Sequence, residues 1–267
     1  NLFKHFEFYK GGNLILHSLR LQTKEKASGV SVDSFRKAIL SNLNNVDKND
    51  IDKILFHLND NQIKDNSIRR YPYILFGKPN ESTFYIYGYE EEGKRLLKEI
   101  KKSLPLCLSV GNKEFNISNV KELEYDSMPK SSFEKITYYT STPILLFSSN
   151  SIRKTEGIIY NKNISNDEKS TQLQEFANVL IRRSVKHIFK EVMGKSKDVF
   201  ENIEINWKEF KVIVIQDKNS KKFAVVGEFE SNWHLPKFIG NRNGAGFGKL
   251  TTRRTKLDKK VIKWEDM

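Results

Sequence analysis

Apolar spacing along the chain switches between alternation and a helical period, and the switches mark its elements. At the start Phe3, Phe6 and Phe8, then Leu14, Leu16, Leu19 and Leu21, flank a Gly11-Gly12 turn and predict strand. Val32, Phe35, Ile39 and Leu43 recur at helical spacing behind Ser31 or Asp33, either a good N-cap. Ile51, Ile54 and Leu55 predict a short second helix over residues 50–57. Two aromatic strands, 71–76 and 83–89, follow around the turn formers Gly77-Lys78-Pro79-Asn80-Glu81. Residues 90–104 open on acids and close on lysines, as a helix dipole favours, and 106–110 and 115–117 are strands. The order β-α-β-β-α-β is that of a ferredoxin-like unit.

The polar stretch 125–135, with Met128-Pro129-Lys130-Ser131-Ser132, predicts a boundary. Beyond it the pattern partly repeats. A strand is expected over 136–147, then a long helix over 168–193 with Leu173, Phe176, Leu180, Ile188 and Val192 on one face. Strands over 203–215 and 223–229 flank a turn at 217–222, and a glycine-rich segment leads to a last strand at 247–252. The expected fold class is α+β, with two ferredoxin-like (RRM-like) domains in tandem, residues 1–128 and 129–267.

Charge changes the picture most. The chain has 267 residues, with 46 Lys+Arg against 33 Asp+Glu and a net charge of +13. Such an excess attracts phosphate chains, and residues 218–267 alone hold 12 Lys+Arg against 5 Asp+Glu. Apolar runs such as 73–76 and 212–215 are far below the ~20 residues of a membrane span, so no membrane partner is expected and the reading is cytoplasmic. The single cysteine, Cys107, excludes an intrachain disulfide and thiolate zinc sites, and the five histidines lack ligand spacing. No metal and no cofactor are expected.

The C-terminal glycines are the most specific chemical signal. Gly240, Gly244, Gly246 and Gly248 fall within nine residues, among Lys237, Arg242, Lys249 and Arg253. Glycines let backbone N–H groups approach phosphate closely, although the spacing is neither that of a Walker loop nor of a Rossmann turn. A plain turn before an edge strand is the competing reading. Arg183, Lys186, His187 and Lys190 form a basic stripe on the long helix, either a solvated face or a phosphate track. Tyr85, Tyr87 and Tyr89 alternate onto one strand face, to pack or to stack on bases. His17, in a strand with no evident carboxylate partner, reads as structural, His234 as a turn or RNA contact, and His5 carries nothing.

From Phe223 to Gly248 the chain resembles the b-type branch of the CRISPR repeat-processing endoribonucleases, in the RAMP superfamily. Gly227, Phe229, Asn232, Leu235 and Pro236 are similar to that branch's pattern, and Gly246-Phe247-Gly248 to the close of its glycine-rich loop. Tyr139 with Thr142-Pro143 resembles the opening of its second domain. Leu55-Phe56-His57 and Arg70-Tyr71-Pro72-Tyr73-Ile74 resemble its catalytic stretch. The resemblance implies repeat-RNA binding and metal-independent cleavage that leaves 2′,3′-cyclic phosphate and 5′-OH ends. Carried over, the catalytic parts are His57, Tyr71, Tyr73, Lys53 and Asn59, with Lys64, Arg69 and Arg70 as further cations for the phosphorane, and the RNA contacts are Arg69, Arg70 and the basic and glycine residues above. One departure stands out: Asn59 occupies the place of a second histidine and cannot exchange a proton near neutral pH. Three readings follow: an endoribonuclease, a cleavage-impaired relative that holds repeat RNA or docks with CRISPR effector proteins, and a basic nucleic-acid adaptor. A homodimer stays open among the partners.

Overall fold

The structure, a computed structural model, describes residues 15–55, 72–127, 129–145, 149–193, 202–217, 220–240 and 247–254. The first half comprises β1 (Ile15–Thr23), α1 (Val32–Leu40), α2 (Lys48–Leu55), β2 (Ile74–Phe76), β3 (Thr83–Tyr89), α3 (Glu90–Lys102), β4 (Cys107–Val110) and β5 (Lys113–Asp126). Its antiparallel sheet runs β2-β3-β1-β5-β4. With β4 and β5 counted as one hairpin, that is the strand order of a ferredoxin-like unit. Ser31 caps α1 by accepting a hydrogen bond from the Ser34 N–H. Phe35, Ala38 and Ile39 of α1, Ile54 of α2 and Leu96, Leu97 and Ile100 of α3 pack on one sheet face, against Leu19, Leu21, Phe76, Phe84, Ile86 and Phe115.

The second half comprises β6 (Lys130–Thr140), α4 (Ser149–Ile159), α5 (Asn166–Met193), β7 (Ile205–Asp217), β8 (Ser220–His234) and β9 (Leu250–Thr251), in the order β7-β8-β6-β9. The strand order repeats, with one substitution: between β8 and β9, where the first half has α3, the glycine-rich segment makes the connection. Two tandem ferredoxin-like units are the architecture. Among the described residues no helix is long and apolar enough to cross a membrane.

Several expected boundaries move. β5 continues to Asp126, through residues expected to be loop, because most of its side chains are exposed and its sequence lacks apolar alternation. β6 lies over Lys130–Thr140 rather than 136–147; a bulge between Ser131 and Ile136 breaks its pattern, and past Thr140 the Ile144–Val225 bridge rejoins the sheet. β8 reaches His234, so Gly227, Phe229 and Asn232 of the family pattern lie in strand. α4 has no counterpart in the expected elements. The buried stripe of α5 is Leu173, Ala177, Ile181 and Val185; Phe176 and Leu180 flank it half-buried, because the small Ala177 makes the close contact. The Ile188 and Val192 side chains, and the predicted strand around Phe3, Phe6 and Phe8, lie outside the described residues. A capping box opens α5: the Ser165 hydroxyl accepts from the Glu168 N–H, and Glu168 accepts from the Ser165 N–H.

The halves share one core. Leu16, Leu75, Tyr87 and Tyr89, on the helix-free face of the first sheet, join Phe238, Ile239, Leu235, Ile181, Val185 and Phe229 in a single buried cluster. Gly227 stands where β7 bulges between Trp207 and Glu209. Its φ is +154°, and a Cβ there would sit 1.9 Å from the Glu209 carbonyl oxygen. The Thr140 hydroxyl accepts from the Gly227 N–H at 2.9 Å and completes the joint. Gly227→Ala should therefore lower stability by about 2–4 kcal/mol, read as a lower urea midpoint, whereas Gly157→Ala, with open space at its Cβ, should not.

Candidate nucleic-acid interface

The two described ends of the glycine-rich segment, 237–240 and 247–250, pair as a tied stem. The Lys237 carbonyl accepts from the Leu250 N–H at 2.8 Å, Phe238 pairs with Lys249, and the Ile239 N–H donates to Gly248 O at 2.9 Å. The Gly248 N–H donates to Pro143 O, and the Lys249 N–H to the Thr142 hydroxyl, each at 2.8 Å. Thr142-Pro143 and the glycine-rich segment, far apart in sequence, thus form one structure. The Gly240 N–H donates to Ser184 Oγ at 2.7 Å and fastens the hairpin to α5. At Gly240 φ is +84°, and a Cβ would press on Ile144 and Leu145. These bonds correct an expectation. Gly240 and Gly248 serve close packing, and their N–H groups are held by protein acceptors rather than turned to a phosphate.

The stem lies on the tyrosines of the first sheet. Phe238 packs edge-on to Tyr87, with ring centroids 5.1 Å apart. Lys237 Nζ stands 4.0 Å from the centre of the Tyr125 ring and 5.4 Å from that of Tyr87. Lys249 Nζ stands 5.1 Å from Tyr85 and 5.6 Å from Tyr87. Tyr87 and Tyr89 are buried core, so packing claims them, and only Tyr85 of the three stays half-exposed. The rings stabilise the ammonium groups in part, but neither lysine bridges a carboxylate among the described residues. Burial pushes the Lys237 ammonium below the usual lysine range. Burial, and then the neighbouring Lys237 charge, bring Lys249 down to about 8.

Other candidates fall into place around this seam. Arg183 and His187 are exposed and Lys186 half-buried on α5, the helix that holds Gly240 through Ser184; Lys190 lies further along it. Arg253 is exposed just beyond β9. His234 ends β8 opposite Lys130, and burial, then the Lys130 charge, lowers its pKa. His17, read as lacking a carboxylate partner, has one: its Nδ1 lies 3.0 Å from Glu124, which β5 brings alongside β1. The described site also includes Tyr125 and Ser184, which were not anticipated. Tyr125 sat in a stretch that reads as polar loop, and Ser184 has no sequence signal at all.

The catalytic stretch is described only in part. Lys53 donates to Glu92 at 2.6 Å, and Arg95 donates to Asp50 and Glu92, so α2 is tied to α3. Hydrogen bonds from Arg95, then Lys53, hold Glu92 down at about 2. Arg36 donates to the Leu55 carbonyl at 2.7 Å and closes α2 two residues before His57. Tyr73 packs against the helix-side core. Lys53 therefore lies on the helix-covered side of the first sheet, and Lys237 and Lys249 on the other; the fold does not bring them together. His57, Asn59, Lys64, Arg69, Arg70, Tyr71, Arg242, Gly244 and Gly246 lie outside the described residues.

The Lys249 shift has a sign that can be checked. Its folded pKa is below its unfolded value, so its unfavourable contribution is fully present below about pH 8 and is relieved as pH rises toward 10.5. Lys249→Met should therefore raise the thermal midpoint at pH 7, and the gain should shrink when both proteins are melted at pH 10.

No protein-family model and no curated protein matches the chain. Solved structures do. A crystal structure of Cas6b gives a TM-score of 0.64 at 18% identity, over 90% of this chain and 99% of that one. A crystal structure of the CRISPR RNA processing endoribonuclease Cas6b gives 0.56 at 16% identity, over 88% and 98%. The product of a Cas6-related gene from Pyrococcus furiosus gives 0.53 at 13%, over 94% and 99%. The chain is thus similar, over nearly its whole length, to structures of the family its motifs resemble, and it has the Cas6b fold.

Proposed function

We propose that the protein binds CRISPR repeat RNA along the hairpin seam and cuts it without metal. The observation that carries this reading is the pair Lys237 and Lys249, half-buried and close together, with no carboxylate bridging either among the described residues. Two desolvated like charges favour an anion between them, and a phosphate chain supplies one. Arg183, Lys186 and Arg253 extend the positive surface for further phosphates. The Cas6b fold and the resemblance of the motifs support repeat RNA as that chain.

For cleavage, the 2′-oxygen attacks the adjacent phosphorus, the 2′-OH proton passes to a base, and the 5′-oxygen leaves and takes up a proton. The ends are then a 2′,3′-cyclic phosphate and a 5′-OH. In this reading His57 carries the proton, Tyr71 or Tyr73 orients the scissile group, and nearby cations among Lys64, Arg69 and Arg70 stabilise the phosphorane. Lys53, held by Glu92, acts by fixing α2 ahead of His57. Asn59 favours a second reading, in which the chain holds repeat RNA and cuts it slowly or not at all, since an amide carries no proton.

Incubation with repeat RNA in EDTA decides between them. The endoribonuclease reading expects cyclic-phosphate ends, no cutting of RNA with a 2′-deoxy scissile nucleotide, and a loss of about 100-fold or more in single-turnover rate for His57→Ala. Tight binding without product over hours supports the second reading. Equal affinity for repeat RNA and random duplex DNA, with equal salt slopes, overturns both in favour of a basic adaptor.

A further inference from the structure

Among the described residues, the tyrosine face of the first sheet is buried beneath Phe238 in the registers Leu16–Tyr89 and Ser18–Tyr87. In the next registers Arg20, Gln22 and Tyr85 are half-exposed. There Arg20, Gln22, Asn119 and Lys121 line a hollow of about 230 Å³. Arg20 stands directly opposite Lys121, and Gln22 opposite Asn119, across β1 and β5. Like charges in opposed positions of a sheet destabilise it, so this pairing is not explained by folding.

The charges of β5 are sorted by face. Glu122 and Glu124 project to the helix side, where Lys101 bridges Glu122 and Lys94 and His17 engage Glu124. Lys121 projects into the hollow, and neither it nor Arg20 bridges a carboxylate among the described residues. Glu25, beyond the bulge of β5, is taken up by Asn116. The polar contact made by the Arg20 guanidinium is a long one, 3.4 Å to Gln22 Oε1. Its planar fork is therefore available for two parallel bonds to a phosphate. Gln22 Oε1 also accepts from the Thr83 hydroxyl at 3.1 Å, which engages the amide oxygen and leaves the NH₂ as the donor end. The exposed Asn119 amide lies across from it. Tyr85, paired with Arg20 across β1 and β3, carries Lys249, which places the hollow beside the lysine seam.

Cations paired with amides suit a ligand that alternates phosphate with hydrogen-bonding bases. The hollow is smaller than the ~300–1,000 Å³ of a typical small-molecule pocket, so it suits one nucleotide of a strand passing across. In-plane amides reach base edges only where the bases are unpaired, because a duplex keeps those edges engaged. We propose that the hollow is a subsite for single-stranded RNA running from the lysine seam, with Arg20 and Lys121 on phosphates and Gln22 and Asn119 on base edges. The proposal rests on the RNA-binding reading above and assigns it a second, single-strand-specific part.

The test measures binding of the full chain to 12-nucleotide U and A oligoribonucleotides and to a blunt RNA hairpin, across a salt series. The double variant Arg20→Ala, Lys121→Ala should bind both 12-mers about tenfold more weakly. Its log–log salt slope should fall by about 1.4, the single-strand value for two phosphate contacts, while hairpin affinity stays within about twofold. Gln22→Ala with Asn119→Ala should change the ratio of A to U affinity about threefold and leave the slope alone. An unchanged thermal midpoint keeps the comparison one of binding. Unchanged 12-mer binding, or an equal loss on the hairpin, overturns the subsite, and an unchanged A-to-U ratio overturns the base-edge role. A native chain that binds none of these RNAs overturns the RNA-binding reading itself, an outcome distinct from failure of the hollow.

Discussion

Everything at the candidate site follows from the need to cover a second sheet face. Helices α1, α2 and α3 bury one face of the first sheet, which leaves Leu16, Leu75, Tyr87 and Tyr89 on the other. Exposing such a patch is unfavourable at roughly 25 cal/mol per Å² of apolar surface. The second half answers with the described ends of its β8–β9 connection, 235–240 and 247–249, which pair with each other and lay Phe238 on Tyr87. Lys237 and Lys249 are neighbours of Phe238 in that stem, in sequence or in register. Docking the phenyl ring therefore places both ammonium groups on the aromatic bed. The positive seam is a by-product of apolar burial, and this is why its charges are desolvated.

The motif residues serve the same end. Gly227 lets β8 pass the bulge of β7, and Phe229 is buried against Tyr138 and Trp207. Asn232 holds the approach to β7, accepting from the Glu204 N–H and donating to Asn202 O. Leu235 donates to the Tyr138 hydroxyl, and Thr142 and Pro143 tie the stem. None of these side chains contacts a phosphate by necessity; each builds the platform that presents Lys237 and Lys249. A resemblance in such residues is for that reason strong about the fold and weaker about cleavage chemistry.

What could be read from the sequence divides along the same physical line. Ser31, the Gly77–Glu81 turn and the charged ends of α3 act locally, and each element they mark is present. β5 and β6 escaped because strands with one solvated edge, rich in Lys and Glu, carry no apolar alternation. The buried stripe of α5 was misphased because Ala177 contributes by being small, which hydrophobic periodicity does not weigh. At the site, Lys237 and Lys249 were legible from their place beside glycines. The expected role of the glycines was not, since hydrogen bonds to Pro143 and Ser184 depend on tertiary contacts.

The sheet also separates the lysine seam from the candidate catalytic stretch. Lys53 and the closed end of α2 lie on the helix-covered side, while the lysine seam and the open hollow lie on the tyrosine side. On the proposed reading, an RNA that meets both must pass around an edge of the sheet. β2 is the edge strand nearest α2, and residues 71–73 lead directly into it. Contacts on one face then hold the strand whatever happens at the other. On that reading a chain with Asn59 in place of a proton carrier would lose rate there, while the desolvated charges of Lys237 and Lys249 on the other face would be unchanged.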